Sequence, residues 1–371
     1  MSLSSVDVVR IPTSGPGDTS GLIKLIAAGE IDPKSILAIL GKTEGNGGVN
    51  DFTREYATVA LAGALAPYLG MSREEVEHRI AFVMSGGTEG VLSPHITVFT
   101  RMPLSAPPAP RAEGKRLSIG IAHTREFRPE ELGRQSQIAE TAAAVRKAMT
   151  EAAINDVADV HFVQVKCPLL TSERVDAAAA RNASTVTKSA YASMGYSRGA
   201  SALGVALALG ELAAEPREDD VLRRWDLFSS VASSSAGIEL MHNVVVVMGN
   251  SVSSASDLVI GHAVMKDAID AAAIRAALGS VGLREDETSN PAVGDRIVNI
   301  FAKAEAAPDG LVRGLRHTML NDTDISSTRH ARAAVGGLVS GLAGTSAVYV
   351  SGGAEHQGPA GGGPVAVIAR A

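Results

Sequence analysis

The chain has 371 residues, of which 45% are hydrophobic and 20% charged, a composition that excludes a disordered protein and allows two or three core-forming units. The formal net charge of −6 and an aromatic content of 4% argue against nucleic acid as a partner, because they supply neither a cationic surface nor stacking platforms. The single cysteine, Cys167, excludes an internal disulfide framework and a multi-cysteine zinc site.

Targeting signals are not evident. The N-terminal segment MSLSSVDVVRIPTSG lacks the basic start and the long apolar stretch of a signal peptide. Apolar stretches elsewhere, such as Tyr56 to Pro67, are too short and too rich in alanine to cross a bilayer. We therefore expect a cytoplasmic protein that does not associate with membranes, and we expect Cys167 to be a small buried apolar residue.

The apolar pattern in the first third of the chain predicts the element order β-α-β-α-β-β. Its segments are VDVVRIP, the helix SGLIKLIAAG, a strand ending at Gly41-Lys42-Thr43, a helix beginning near Thr53-Arg54, IAFVM leading into Ser85, and ITVFTR. The proline-rich stretch that follows predicts an exposed linker at 105–111.

The same order recurs twice more. The second copy comprises RLSIGIAHT, TAAAVRKAMTEA, DVHFVQV ending at Lys166, a helix opening at Ser197-Arg198-Gly199, the approach to Ser235, and NVVVVMG. The third comprises DLVIGHAVM, DAIDAAAIRAALGSVG, RIVNIFA ending at Lys303, a helix opening at Thr328-Arg329, SAVYV leading into Ser351, and PVAVIAR. We predict an α/β (α+β) fold of three tandem repeats, at 1–104, 112–250 and 255–371, around a pseudo-threefold axis.

Polar residues recur at the same places in the three repeats. A lysine ends the second strand, an arginine opens the second helix and a serine ends the third strand: Lys42, Arg54 and Ser85; Lys166, Arg198 and Ser235; Lys303, Arg329 and Ser351. The serines begin the related strings SGGTE, SAGIE and SGGAE. If the intervening helix makes the two strands parallel neighbours, each lysine lies beside its serine.

This pattern predicts a serine nucleophile activated by a lysine. A desolvated neutral lysine can accept the proton of a serine hydroxyl, and the next backbone N–H can stabilise the oxyanion. An arginine in the first turn of a helix can receive a carbonyl oxygen or a carboxylate. Three such sets around one axis suit a small, flat, electron-rich substrate with threefold character.

The neighbours of the lysines indicate which pair is catalytic. Lys42 and Lys303 each have a glutamate two residues later, which favours the charged ammonium, whereas Lys166 has a proline there. We therefore expect Lys166 to be the base and Ser235 the nucleophile, with the other two pairs binding substrate. Ser233 and Ser234 are alternatives, but only Ser235 lies four residues before a glutamate, as in the other two copies.

Six longer motifs stand out along the chain: GKTEGNGGVNDFTREYAT, FVMSGGTEGVLSPH, DVHFVQVKCPLLT, SMGYSRGASALG, ASSSAGIEL and YVSGGAEHQGPAGGGP. From Val6 to the C-terminus, the sequence that contains them resembles the ring-opening amidohydrolase family, whose members act on cyanuric or barbituric acid. The resemblance implies three similar units around a central β-barrel with helices outside. It also implies hydrolysis of a ring amide of cyanuric acid to carboxybiuret, which decarboxylates to biuret and CO₂.

The resemblance also implies roles for individual residues. Lys166 and Ser235 match the catalytic dyad, and the substrate-binding positions are Lys42, Arg54, Ser85, Gly86, Arg198, Ala236, Lys303, Arg329, Ser351 and Gly352. A structural Mg²⁺ or Ca²⁺ in the third unit would be held by Glu305, Ala354, Gln357, Gly358, Pro359 and Gly362, a set of oxygen donors that suits a hard cation. Family members are often homotetramers.

Other functions remain open on the sequence. Barbituric acid is the alternative substrate, and a non-catalytic protein that binds a small metabolite is the alternative from another class. Metal-dependent hydrolysis is disfavoured because the nine histidines form no paired-ligand pattern. The glycine-rich stretches GNGG and GGGP lack the spacing of nucleotide-binding loops, and we interpret them as turns.

Overall fold

The computed structural model describes residues 3–104, 114–283 and 296–371. Within these ranges the strands form three four-stranded sheets and one two-stranded sheet, with α-helices packed against the larger sheets. The predicted linker at 105–111 lies outside the described residues.

The first sheet uses the N-terminal part of the chain. Its strands, in the spatial order β1-β4-β2-β3, are β1 (Ser4–Pro12), β2 (Ile36–Thr43), β3 (Ala81–Gly86) and β4 (His95–Pro103). The helices are α1 (Ser20–Ala27), α2 (Phe52–Leu69) and α3 (Arg73–Arg79), with a 3₁₀ helix at Pro33–Ser35. The sequence interpretation missed α3, although Ser72 and Glu75 form a capping box at its start.

The second sheet has the spatial order β5-β8-β6-β7. Its strands are β5 (Arg116–His123), β6 (Val160–Pro168), β7 (Ala232–Gly237) and β8 (Val244–Ser251). The helices are α4 (Gln135–Glu151), α5 (Ser172–Ala179) and α6 (Ala190–Leu209), with 3₁₀ helices at Pro129–Glu131, Val157–Asp159 and Glu218–Asp220. Helix α5 was not predicted.

The third sheet has the spatial order β9-β14-β10-β13. Its strands are β9 (Leu258–Met265), β10 (Ile297–Ala304), β13 (Tyr349–Gly352) and β14 (Gly363–Arg370). The helices are α7 (Ala271–Ser280) and α8 (Ser327–Ala343), and a small hairpin pairs β11 (Leu311–Val312) with β12 (Leu315–Arg316).

The three large sheets share one strand order and one pairing scheme. In each, the strand that carries the lysine near its C-terminal end is parallel to the strand that carries the serine near its C-terminal end, and the remaining pairings are antiparallel. The registers place Lys42 opposite Ser85, Lys166 opposite Ser235 and Lys303 opposite Ser351. The prediction of adjacent, parallel lysine and serine strands is confirmed.

The predicted central barrel is not confirmed. Among the described residues the hydrogen-bonded ladders stop at the edges of each four-stranded sheet, so the sheets do not close into one barrel. They meet instead through apolar side chains in a shared core that includes Phe99, Phe162, Phe301 and Tyr349. Ring packing rather than a continuous hydrogen-bonded ladder therefore joins the three sheets.

Two further expectations can be compared with the structure. Cys167 is fully buried and unpaired, as predicted. In the parts of the chain that the structure describes, no helix combines the length and apolar character needed to cross a bilayer.

Candidate active site

The serine and lysine side chains converge where the three sheets meet. Lys42 Nζ lies 3.3 Å from Ser85 Oγ, and Lys303 Nζ lies 3.2 Å from Ser351 Oγ. Ser235 Oγ instead contacts Ser351 Oγ at 3.1 Å and Gln164 Nε2 at 3.5 Å. Serines from two different sheets are thus in direct contact at one centre.

A cleft lies over this centre. It is lined by Gly47, Arg54, Met84, Ser85, Gly86, Met194, Arg198, Ser235, Ala236, Arg332, Ser351 and Gly352. The cleft has a volume of about 20 Å³, room for about one water molecule. A second cavity of about 490 Å³ shares Arg198 and Arg332 with the cleft, so these two arginines lie between the cleft and the larger cavity.

Most of the predicted binding residues reach this cleft. Those that line it are Arg54, Ser85, Gly86, Arg198, Ser235, Ala236, Ser351 and Gly352. The three lysines lie behind the serines and are almost completely buried. Ser233 and Ser234, the alternative nucleophiles, are fully buried and are not among the cleft-lining residues, and the Ser233 hydroxyl donates to Gln164 Oε1.

The third arginine of the cleft is Arg332, which corrects the prediction of Arg329. Arg332 is almost fully buried in the cleft wall, whereas the Arg329 side chain is 41% exposed and lines only the outer cavity. A signal for Arg332 was present, because Arg198 and Arg332 each lie twelve residues before the left-handed glycine that ends the helix. Arg198 also lies in the middle of α6, not in its first turn as predicted.

Each cleft arginine is held by a group from another sheet. Arg54, on a helix of the first sheet, donates to the carbonyl oxygen of Ala236 in the second at 3.0 Å. Arg198 of the second sheet is paired at 2.6 Å with Glu355, which follows β13 of the third.

The third cleft arginine is also held by a group from another sheet. Arg332, on the helix of the third sheet, is paired at 2.7 Å with Glu89, which follows β3 of the first. The carboxylates fix these guanidinium groups with bidentate geometry, so the cations of the cleft are positioned by contacts between the sheets.

Burial and neighbouring arginines lower the pKa of all three lysines. Burial and the charge of Arg332 lower the pKa of Lys42 well below its ordinary value. Burial and the charge of Arg198 lower the pKa of Lys303 to about 7. Burial dominates at Lys166 as well and lowers its pKa.

The expectation that Lys166 has no neighbouring carboxylate is wrong. Lys166 Nζ lies 2.8 Å from Glu239 Oε1 and also donates to the carbonyl oxygen of Met84 at 3.1 Å. Glu239 counteracts part of the lowering of the Lys166 pKa. Partial burial raises the pKa of Glu239, whose side chain is still 33% exposed, but the charges of Lys166 and Arg54 lower it to about 2. Lys166 is therefore not distinguished by the absence of an anion.

The six predicted metal ligands lie around one glycine-rich loop after β13. Burial and the charge of Glu355 raise the pKa of Glu305 to about 7, and the charges of Arg198 and Lys303 offset only part of that rise. The loop runs from Ala354 to Gly362, with Gly358 and Gly361 in the left-handed region, and its backbone approaches β10 and the residues that follow it. This environment fits a hard cation held by one carboxylate and backbone carbonyls.

The fold and the cleft define an α/β enzyme whose centre offers serine hydroxyls, buried amines and arginines to a small electron-rich molecule. The chain belongs to the ring-opening amidohydrolase family, because the family described as amidohydrolase ring-opening protein matches residues 7–370.

Similar proteins agree with this assignment. The chain is 72% identical over 370 residues to a cyanuric acid amidohydrolase of Bradyrhizobium diazoefficiens, covering 100% of this chain and 99% of that protein. It is 60% identical over 367 residues to a cyanuric acid amidohydrolase of Pseudomonas sp. (strain ADP), covering 99% of each. A solved cyanuric acid hydrolase has a TM-score of 0.95 and 59% identity over the full length of both chains.

Proposed function

We propose that this protein hydrolyses cyanuric acid at a ring amide and that the product, carboxybiuret, loses CO₂ to give biuret. The observation that carries the proposal is the convergence of serine, lysine and arginine side chains from three sheets on one cleft. A flat ring with alternating carbonyl and N–H groups matches the threefold distribution of cations in that cleft.

The proposed reaction begins with attack of Ser235 Oγ on a ring carbonyl carbon. The hydroxyl proton passes to Lys166 Nζ, the C=O π bond opens, and the oxyanion is stabilised by backbone N–H groups at the strand ends and by the arginines. Collapse of the tetrahedral adduct breaks the ring C–N bond, and Lys166 returns the proton to the leaving nitrogen. Water then hydrolyses the acyl-serine by the same sequence of proton transfers.

Two features support Lys166 as the base. It is the register partner of Ser235, so rotation of the serine side chain directs the hydroxyl toward it. Its two hydrogen-bond acceptors, Met84 O and Glu239, match the two N–H groups of a neutral amine and leave the lone pair for the serine proton. Lys303 donates to three acceptors, one more than the two N–H groups of a neutral amine supply, whereas Lys42 donates to two, so this count separates Lys166 from Lys303 only.

In this proposal Glu239 acts as the third group that orients the base. It stabilises the ammonium that forms when Lys166 takes the proton of Ser235, as the aspartate of a Ser-His-Asp triad stabilises the imidazolium, although Glu239 is partly exposed. The charge of Glu239 also favours the ammonium form of Lys166 before substrate binds, so a smaller fraction of the molecules has the neutral amine that the reaction needs.

The test is turnover of cyanuric acid by purified wild-type protein and by Ser235→Ala. We expect biuret from the wild type and a loss of roughly 10³-fold or more in kcat for the variant, the usual effect of removing a nucleophile. Ser234→Ala is the matched control, because Ser234 is fully buried on the opposite face of the same strand and its hydroxyl has no hydrogen-bond partner among the residues that the structure describes. Near-normal turnover by Ser235→Ala would remove Ser235 from the mechanism.

Barbituric acid is the alternative substrate, since it differs by a methylene carbon in place of one ring nitrogen. The same assay with barbituric acid separates the two, because only cyanuric acid yields biuret. Ligand binding without turnover of either ring would instead favour a binding protein.

We propose a structural Mg²⁺ or Ca²⁺ beside Glu305, held with carbonyl oxygens of Ala354, Gln357, Gly358, Pro359 and Gly362. The cation would neutralise the Glu305 carboxylate and hold the glycine-rich loop that follows Ser351. We expect either ion to raise the melting temperature of metal-stripped protein and Glu305→Gln to abolish that rise. An equal rise in both proteins would place the ion elsewhere.

The remaining proposals concern organisation. We propose three structural units, at 1–104, 112–250 and 255–371, related by an approximate threefold axis, which the shared strand order and lysine–serine register support. We also propose a homotetramer in the cytoplasm. The buried, unpaired Cys167 is consistent with a reducing compartment, and light scattering of the purified protein measures the assembly.

A further inference from the structure

A tyrosine lies directly beneath the three serines. Tyr349 is fully buried and stands two residues before Ser351 on β13, so both side chains are on the same face of that strand. The Nζ of Lys42 lies 5.8 Å from the centroid of its ring. The phenol therefore reaches the centre of the site from the shared apolar core.

The hydroxyl of Tyr349 has an unusual environment. It lies close enough to the hydroxyls of Ser85 and Ser235 for both to act on its pKa, but it forms no hydrogen bond of ordinary geometry with any residue that the structure describes. A buried hydroxyl without a partner costs about 1–3 kcal/mol. The corresponding positions before the other two serines are Val83 and Ser233, so only the third sheet places a phenol here.

We propose that Tyr349 is a positioning residue for the nucleophile, and that its phenol donates a hydrogen bond to Ser235 Oγ when substrate is bound. The inference rests on the proposed function. A serine hydroxyl has one hydrogen and two lone pairs. If Tyr349 replaces Gln164 Nε2, which lies 3.5 Å from Ser235 Oγ, as the donor to one lone pair, the hydrogen of Ser235 can point to Lys166 and the other lone pair faces the substrate carbon.

The phenol acts as a donor and not as a base. Burial raises the pKa of Tyr349 far above neutral, so the group keeps its proton throughout the reaction. The hydrogen bond strengthens as negative charge develops on Ser235 Oγ during proton transfer to Lys166, because hydrogen bonds to charged groups are stronger than neutral ones. No covalent bond to Tyr349 forms or breaks in this step.

The test variant is Tyr349→Phe, which removes one oxygen and keeps the ring that packs against Phe301. The first readout is sulfonylation of Ser235 by methanesulfonyl fluoride, followed by mass spectrometry. In that reaction the serine oxygen bonds to sulfur, fluoride leaves and the serine proton goes to the base, so the rate reports nucleophile activation without the natural substrate. The second readout is kcat and KM for cyanuric acid.

We expect Tyr349→Phe to lower the labelling rate and kcat by about 10- to 100-fold, the effect of losing one hydrogen bond to a charged atom. KM should be unchanged, and the melting temperature unchanged or higher because a buried unpaired hydroxyl is removed. Tyr68→Phe, at a partly exposed position near the end of α2, is the control and should behave like wild type.

Wild-type labelling and wild-type kcat in Tyr349→Phe would overturn the inference and leave the proposed function standing. Absence of labelling at Ser235 in the wild type would overturn both, because Ser235 would then not be the activated nucleophile. A lower melting temperature with normal kinetics would show that the phenol has only a packing role.

Discussion

The contact between Lys166 and Glu239 makes a quantitative prediction about pH. Lys166 must be neutral to accept a proton, so kcat/KM should rise with pH through the pKa of Lys166. That pKa is lowered by burial, and the negative charge of Glu239 offsets part of the lowering. The substitution Glu239→Gln removes the charge and keeps a side-chain oxygen near Lys166. It should therefore lower the pKa of Lys166 and move the rising limb of the profile to lower pH.

The distance sets the size of the shift. At 2.8 Å, the attraction between unit charges is about 6 kcal/mol at an effective dielectric constant of about 20 and about 1.5 kcal/mol at the value of water. An attraction of this size is large enough for its loss to move the limb to lower pH by an amount that a pH profile resolves. The plateau value of kcat should fall, because the ammonium formed during the reaction loses its counter-charge.

The assay is the pH dependence of kcat/KM for cyanuric acid in the wild type, Glu239→Gln and Glu355→Gln. Glu355 follows Ser351 as Glu239 follows Ser235, and it acts on Arg198 and Lys303. If Lys166 is the base, Glu355→Gln should weaken substrate binding without moving the limb. A limb that moves in Glu355→Gln and stays in place in Glu239→Gln would refute the reasoning and identify Lys303 as the base.

Two further predictions use matched pairs of variants. Arg332→Ala should lower kcat/KM by about 100-fold or more because it removes a buried cleft cation, whereas Arg329→Ala, at a side chain 41% exposed, should change it by less than about threefold. Comparable losses in steady-state assays of both would contradict the assignment of Arg332. Gly120→Ala should destabilise the protein by about 1–3 kcal/mol in urea unfolding, because the new Cβ would lie 2.0 Å from a backbone oxygen of α4. Gly63→Ala meets open space within a helix and should stabilise by about 0.5–1 kcal/mol, so a loss at both positions would contradict the packing argument.

Strand positions and the register of the site could be predicted from the sequence because both depend on local pattern. Apolar runs bounded by lysine and serine fix where each strand ends, and an intervening helix makes two strands parallel. The pairing of Lys166 with Ser235 follows from those two facts alone. The family resemblance added the substrate class, which the pattern by itself does not specify.

Contacts between side chains of different elements could not be predicted in the same way. Glu239 lies 73 positions after Lys166, and spacing does not show that a carboxylate after one strand folds back onto the amine of its neighbour. The error at Arg329 arose because a helix start is a weak guide to the face a side chain occupies, whereas distance from the helix end was informative. The sequence also did not show how the three sheets meet, because their contacts are made by aromatic rings in a shared core and not by a local pattern along the chain.

Arg54, Arg198 and Arg332 are each held by a group from another sheet, and this arrangement has a consequence for a chain that is cut into separate pieces. Each guanidinium has an acceptor carried by a different third of the chain, so an isolated third would keep its serine and lysine but its arginine would lose that contact, and Arg54 would keep only its bond to Gly48 O. We therefore expect activity to require all three sheets together. A polypeptide severed between the thirds should regain activity only when all the pieces reassociate.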